Sequence, residues 1–153
     1  MIDRRGRTEV SELLRHLVAG QITNDEFEDR LPGRCEDRAV NEVSAEAWYL
    51  YSDLWEHRLA GAERVPEEAR HHVARWILFL QADLELEWPE WSFGRRFLSS
   101  AARLLTFGVL GQDGRRRYQD AGDITVWPFL RRRDYEAALA KPRYLSVSGR
   151  RHR

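Results

Sequence analysis

Apolar side chains recur every three or four positions through most of this chain, the spacing of helices that bury one face. Between Thr8 and Ala19, Val10, Leu13, Leu14, Leu17 and Val18 fall on one stripe, and Gly20 stands where the helix would stop. Thr23 followed by Glu26 three residues later has the form of a capping box, which opens a second short helix that Pro32-Gly33 ends. The spacing thus predicts an N-terminal helical hairpin within residues 1–34. A third helical region begins after Asp37 and restarts near Ser44, a candidate N-cap. It carries Val40, Val43, Ala47, Leu50, Tyr51, Leu54 and Leu59 as far as Gly61, with Trp48 and Trp55 adding aromatic bulk. A fourth opens at Val65-Pro66-Glu67-Glu68, where proline suits the first helical position and two acids face the positive end of the dipole. Its stripe of Val73, Trp76, Ile77, Leu80 and Leu84 is widened by Leu78 and Phe79, which marks it as the central buried helix. Phe93, Phe97, Leu98, Ala101, Leu104 and Leu105 predict a further helix over Ser92–Phe107, and a short one runs from Arg133 to Ala140, before Pro142.

Two stretches break this period. Leu84-Glu85-Leu86-Glu87-Trp88-Pro89 and Ile124-Thr125-Val126-Trp127-Pro128-Phe129 both alternate apolar and polar residues and both end in Trp-Pro. A residue before proline is pushed towards extended geometry, so each predicts a short strand-like piece. The two pieces either lie beside each other in a small sheet or each wrap a helix end. The expected fold is mainly α: a helical bundle-like single domain with a hairpin at 1–34, a helical core at 35–145 and a basic tail at 146–153.

The run Leu13-Leu14-Arg15-His16-Leu17-Val18-Ala19-Gly20-Gln21-Ile22-Thr23-Asn24-Asp25-Glu26-Phe27-Glu28-Asp29-Arg30-Leu31 resembles the bacterial short helical module called SHOCT. The matching features are a Leu-rich helix, a glycine, a polar residue, Ile, Thr, then acids, Phe and a closing Leu. The resemblance is confined to residues 8–32. It implies a module that mediates oligomerisation or other protein contacts, and it implies no catalytic residue.

Composition narrows the classes. At 153 residues the chain can bury a core without staples, and its single cysteine, Cys35, can make no internal disulfide and no thiolate cluster, which suits a reducing cytosol. The basic N-terminus is followed by Glu9, Glu12 and Arg15 rather than an apolar run, so no signal peptide is expected. No stretch is long and apolar enough to predict a membrane span. Arginine supplies all but one of the 25 basic residues, the exception being Lys141, as in proteins from GC-rich bacterial genomes. The net charge of zero is unevenly spread. Residues 1–100 hold 13 basic against 20 acidic residues, a net of −7, and residues 101–153 hold 12 against 5, a net of +7.

Several groupings could carry chemistry. Glu68 and His71 have the Glu-x-x-His spacing of carboxylate-bridged metal sites, but such a site needs a second copy and two further carboxylates, and Glu in a first helical turn is explained by the dipole. Asp53 and His57 stand four apart, the spacing of an oriented imidazole or of a solvated salt bridge, and no nucleophile motif accompanies them. Asp83, Glu85, Glu87 and Glu90 surround the first Trp-Pro as an acidic patch, open to pairing with the protein's own arginines, to a partner, or to acid–base work. Arg131, Arg132 and Arg133 form a basic counterpart. Arg115, Arg116 and Arg117, with the arginines of 150–153, would serve a nucleic-acid partner. Gly108, Gly111 and Gly114 lack the Lys-Ser/Thr ending of a phosphate loop and read as a connector.

The expectation is a bacterial, cytoplasmic, non-enzymatic protein–protein interaction protein without cofactor, of the inhibitor, immunity or adaptor kind. Its partner would be a protein, a second copy of itself included, held by Asp83, Glu85, Glu87 and Glu90 or by Arg131, Arg132 and Arg133. Nucleic-acid association through Arg115, Arg116 and Arg117 is the alternative, and a metal-dependent enzyme built on Glu68 and His71 stands behind it.

Overall fold

The computed structural model describes residues 1–89 and 120–142, and over these the protein is mainly helical. The helices are α1 (Arg4–Val18), α2 (Asn24–Arg30), α3 (Arg38–Ala47), α4 (Glu67–Gln81) and α5 (Arg132–Ala140), with single 3-10 turns at Trp48–Leu50, Gly61–Glu63 and Ile124–Val126. Helix α1 packs on α4, α3 and α2, and α5 packs on α4. Val10, Leu14 and Leu17 of α1 meet Phe27, Val40, Val43, Phe79 and Leu80 in one continuous core.

Helix α1 starts four residues before the point its apolar stripe suggests, because Asp3 caps it by accepting from the Gly6 amide at 3.0 Å. Its end is built as expected. Gly20 adopts φ 67°, the Gly20 amide donates to Leu17 O and the Gln21 amide to His16 O, both at 2.9 Å, which closes the helix as a Schellman motif. A Cβ at Gly20 would also meet Ala60 Cβ at 3.2 Å and Leu59 O at 3.3 Å. Gly20→Ala is therefore expected to cost about 1–2 kcal/mol, measured by urea unfolding. The capping box of α2 is present in full: Thr23 Oγ1 accepts from the Glu26 amide at 3.1 Å while Glu26 Oε2 accepts from the Thr23 amide at 2.9 Å.

The third helical region is shorter than its pattern predicts. It is capped by Asp37, whose Oδ1 accepts from the Ala39 amide at 3.0 Å, and its last α-helical residue is Ala47, with no restart at Ser44. Residues 51–60 form a loop instead. Its hydrogen bonds go to the α1–α2 turn: the Asn24 amide donates to His57 O at 3.0 Å, and Thr23 bridges to Arg58. These long-range bonds satisfy backbone groups that a continued helix would have paired internally, and Leu59 reaches the core from the loop.

Helix α4 forms where expected and Trp76 to Leu80 are buried, but Pro66 is its N-cap rather than its first helical residue, and it ends at Gln81, so Leu84 belongs to the extended stretch beyond it. Arginines hold the stretch beyond its C-terminus. Arg7 Nη1 donates to Ala82 O at 3.0 Å and Leu84 O at 2.9 Å, Arg4 Nη1 to Ala82 O at 3.1 Å, and Arg38 to Leu86 O at 3.3 Å and Trp88 O at 2.9 Å. Every second carbonyl of 82–88 thus meets a guanidinium from α1 or α3. Side chains alternate as well, with Leu86 and Trp88 buried and Asp83, Glu85 and Glu87 exposed, the signature of an extended path.

The Trp-Pro segments meet, but among the described residues no strand forms. Trp88 is 1% exposed, and its Nε1 donates to Pro128 O at 2.9 Å and Phe129 O at 3.2 Å. The second segment is not extended. Asp123 caps a 3-10 turn at Ile124–Val126, a cis Trp127-Pro128 bond follows, and the Asp123 amide closes the loop on Leu130 O at 3.0 Å. At Gly122 a Cβ would run into that Leu130 carbonyl, so only glycine fits. Edge-on ring contacts seat the loop on α4, Trp127 on Trp76 at 6.0 Å and Phe129 on Phe79 at 5.0 Å between centroids. Val126, Trp127, Pro128 and Phe129 are buried in succession, where a half-buried strand would bury every second residue.

Candidate functional site

The enzyme-like groupings do not converge. Glu68 and His71 are both exposed on α4, and His71 Nε2 stands 3.9 Å from Glu67 rather than beside Glu68. Among the described residues no cluster of three or more His, Cys, Asp and Glu side chains is placed to hold a metal ion. Asp53 and His57 are not on a helix, so their spacing does not face them. The His57 Nδ1 lies 2.9 Å from Trp55 O instead. A groove between α4 and α5, lined by Leu78, Leu84, Ala137 and Ala138, holds about 220 Å³, below the roughly 300–1,000 Å³ of usual small-molecule pockets.

The acidic patch faces the protein's own cations. Asp83 pairs with Arg4, Glu85 lies 3.2 Å from the Met1 amino group, and Glu87 lies 3.8 Å from Arg131. The basic group is similarly engaged. Arg131 also reaches Asp134 at 3.9 Å, Arg132 meets Asp123 at 2.9 Å and Thr125 Oγ1 at 2.7 Å, and Arg133 approaches Asp134 at 3.6 Å. Glu90, Arg115, Arg116, Arg117, the Gly108–Gly114 connector, the Ser92–Phe107 helix and the 146–153 tail lie outside the described residues.

A different surface stands out from the residues upward. Trp48, Tyr49, Leu54 and Trp55 are 45%, 69%, 80% and 53% exposed, so residues 48–55 hold four of the seven large exposed hydrophobics among the described residues. Isolated exposed hydrophobics are ordinary, but such crowding on one short stretch is not. The loop is also rigidly placed. Asn24, 1% exposed, spreads its amide over it: Nδ2 donates to Ser52 O at 3.3 Å and Trp55 O at 3.2 Å, and Oδ1 accepts from the His57 amide at 2.7 Å. Thr23 Oγ1 donates to Glu56 at 2.8 Å, Arg58 donates to Gln21 O at 2.8 Å, and Tyr51 sits edge-on to Phe27 at 6.2 Å. Leu54 and Trp55 therefore project from a fixed frame.

The frame is acidic. Residues 24–30 and 48–58 carry Asp25, Glu26, Glu28, Asp29, Asp53 and Glu56 against Arg30 and Arg58. Arg30 is taken by Glu26 at 3.3 Å, and among the described residues no cation pairs with Asp25, Glu28 or Asp53. Burial pushes the Tyr51 phenol well above its ordinary range, and the carboxylates of Glu28, Asp53 and Asp25 push it further.

Sequence reasoning passed over this surface because Leu50, Leu54 and Leu59 mimic helical spacing. The available signal was Asn24 just after the Thr23 cap, a polar residue that proves fully buried, together with the Ser52-Asp53 pair inside the supposed helix. Arg7 was also passed over, although it falls on the apolar stripe of α1 with Val10, Leu14 and Leu17. Among the described residues no helix is long and apolar enough to cross a membrane. No protein-family model, curated protein or solved structure matches the chain.

Proposed function

We propose that the protein is a non-enzymatic protein–protein interaction protein of a bacterial cytosol, of the inhibitor, immunity or adaptor kind, and that its partner seats on the 48–55 loop. The observation that carries this is the exposure of Leu54 and Trp55 on a loop whose backbone is locked by the buried Asn24. A floppy loop could fold its apolar tip inward. This one holds the tip out, at the cost of leaving a leucine in water, and rigid aromatic and aliphatic anchors are what interface centres use. The resemblance of residues 8–32 to SHOCT supports the same reading, since the α1–α2 turn is the part that pins the loop. The charges at 83–87 and 131–133 contribute less, because each already faces an opposite charge within the protein.

The test is an affinity capture from native lysate, nuclease-treated, with wild type beside a Leu54→Asp, Trp55→Ala variant. The expected result is a stoichiometric protein that survives nuclease and is absent from the variant. Recovery of nucleic acid alone, or of proteins that vanish with nuclease, sinks the reading and turns attention to Arg115, Arg116 and Arg117.

A further inference from the structure

We infer that the 48–55 surface takes a basic segment of a partner protein, one that offers arginine or lysine side chains to exposed aromatic residues on an acidic stretch of surface. The inference rests on the interaction reading above and specifies the partner's chemistry. Three observations carry it. The exposed residues are aromatic as well as aliphatic, Trp48, Tyr49 and Trp55 beside Leu54, and aromatic rings attract cations. The flanking carboxylates of Asp25, Glu28 and Asp53 are without a cationic partner among the described residues, so their field is available to an incoming charge. The described basic cluster of this chain is not the missing complement, because Arg131, Arg132 and Arg133 each meet Glu87, Asp123 or Asp134 in place.

The groups are also pre-arranged. Glu56 is oriented by Thr23, and Trp55 is fixed through its own carbonyl by Asn24 and stacks at a tilt on His57, with centroids 5.7 Å apart. A cationic side chain arriving there would need little reordering of the protein, which lowers the entropic cost of docking. A carboxylate-rich or phosphate-bearing partner would meet like charge at the same place.

The test uses the intact protein and a short synthetic peptide of alternating arginine and glycine, with a glutamate–glycine peptide of equal length as the control. Tryptophan fluorescence and calorimetry read the affinity at low and at near-physiological salt. The arginine peptide is expected to bind and to weaken as salt rises, while the glutamate peptide does not bind. Trp55→Ala should weaken binding about thirtyfold, the loss of a central anchor, and Trp55→Phe should recover most of it. Glu28→Gln with Asp53→Asn should weaken it about tenfold, while Glu136→Gln, exposed on α5, leaves it unchanged. Because Trp55 is half exposed, circular dichroism is expected to show these variants folded.

Equal binding by Trp55→Ala and wild type, or equal loss in Glu136→Gln, overturns the inference by showing only diffuse charge attraction. A captured partner that depends on Trp55 but whose binding ignores salt and lacks a basic segment also overturns it, while leaving the interaction reading intact. Concentration-dependent self-association that Trp55→Ala abolishes, read by sedimentation, makes a second copy the occupant and overturns it as well.

Discussion

Asp37→Ala is expected to destabilise the protein by about 3–5 kcal/mol, the usual loss when one member of a buried ion pair is removed. Arg7 and Asp37 are 1% and 3% exposed. The guanidinium meets the carboxylate side-on, Nε to Oδ2 at 2.6 Å and Nη2 to Oδ1 at 3.1 Å, and lies 5.6 Å over the Phe79 ring. Its Nη1 donates to Ala82 O and Leu84 O, and the carboxylate accepts further from the Asp3 amide at 2.9 Å and the Ala39 amide. With the carboxylate gone, a charge stays buried without its counterion and two helix starts lose an acceptor. Thermal unfolding should show a midpoint lowered on the order of 10 °C. A variant that melts within a degree or two of wild type would show that the pair is not central.

The same pair sets an acid limit. Burial alone would raise the Asp37 carboxyl, but the Arg7 guanidinium and the two amides outweigh it and hold it below its ordinary value. A folded pKa below the unfolded one stabilises fully above the unfolded carboxylate range, and that contribution is lost as pH falls through the folded value. Wild type should therefore lose stability steeply below about pH 4, and Asp37→Ala should show a flatter profile there.

Trp88→Ala is the second large effect, at about 3–5 kcal/mol for a fully buried tryptophan. Its indole sits where the stretch after α4 meets the 124–130 loop, and it supplies the N–H that both Pro128 O and Phe129 O accept. Trp88→Phe keeps most of the apolar volume and should lose less; what it still loses reflects the two buried carbonyls left without that donor, a loss the Ala variant shares. Chemical denaturation of the two variants beside wild type measures both terms. Equal losses in Ala and Phe variants would place the whole effect in the hydrogen bond and refute the packing argument.

What could be read from the amino-acid order depended on how local the deciding physics was. The end of α1 at Gly20, the Thr23–Glu26 box and the Pro66 start of α4 are decided within four or five residues, and the structure has all three. The loop at 51–60 and the turn at 124–130 are decided elsewhere. Asn24 competes for the first from 28 to 33 residues away, and Trp88, Trp76 and Phe79 fix the second through contacts no spacing rule encodes. The candidate surface left only an indirect trace, in Asn24 and the Ser52-Asp53 pair, for the same reason. A tryptophan on an apolar stripe is read as core unless the partner that holds its backbone outward is known.

The arginines of α1 and α3 grip carbonyl oxygens along 82–88, and a carbonyl is the same group whatever side chain it belongs to. The grip thus recognises a path rather than a set of residues. Outward positions 83, 85 and 87 meet the fold through exposed ion pairs, which contribute little. Over evolutionary time that rim can change its charge while the scaffold beneath it stays put.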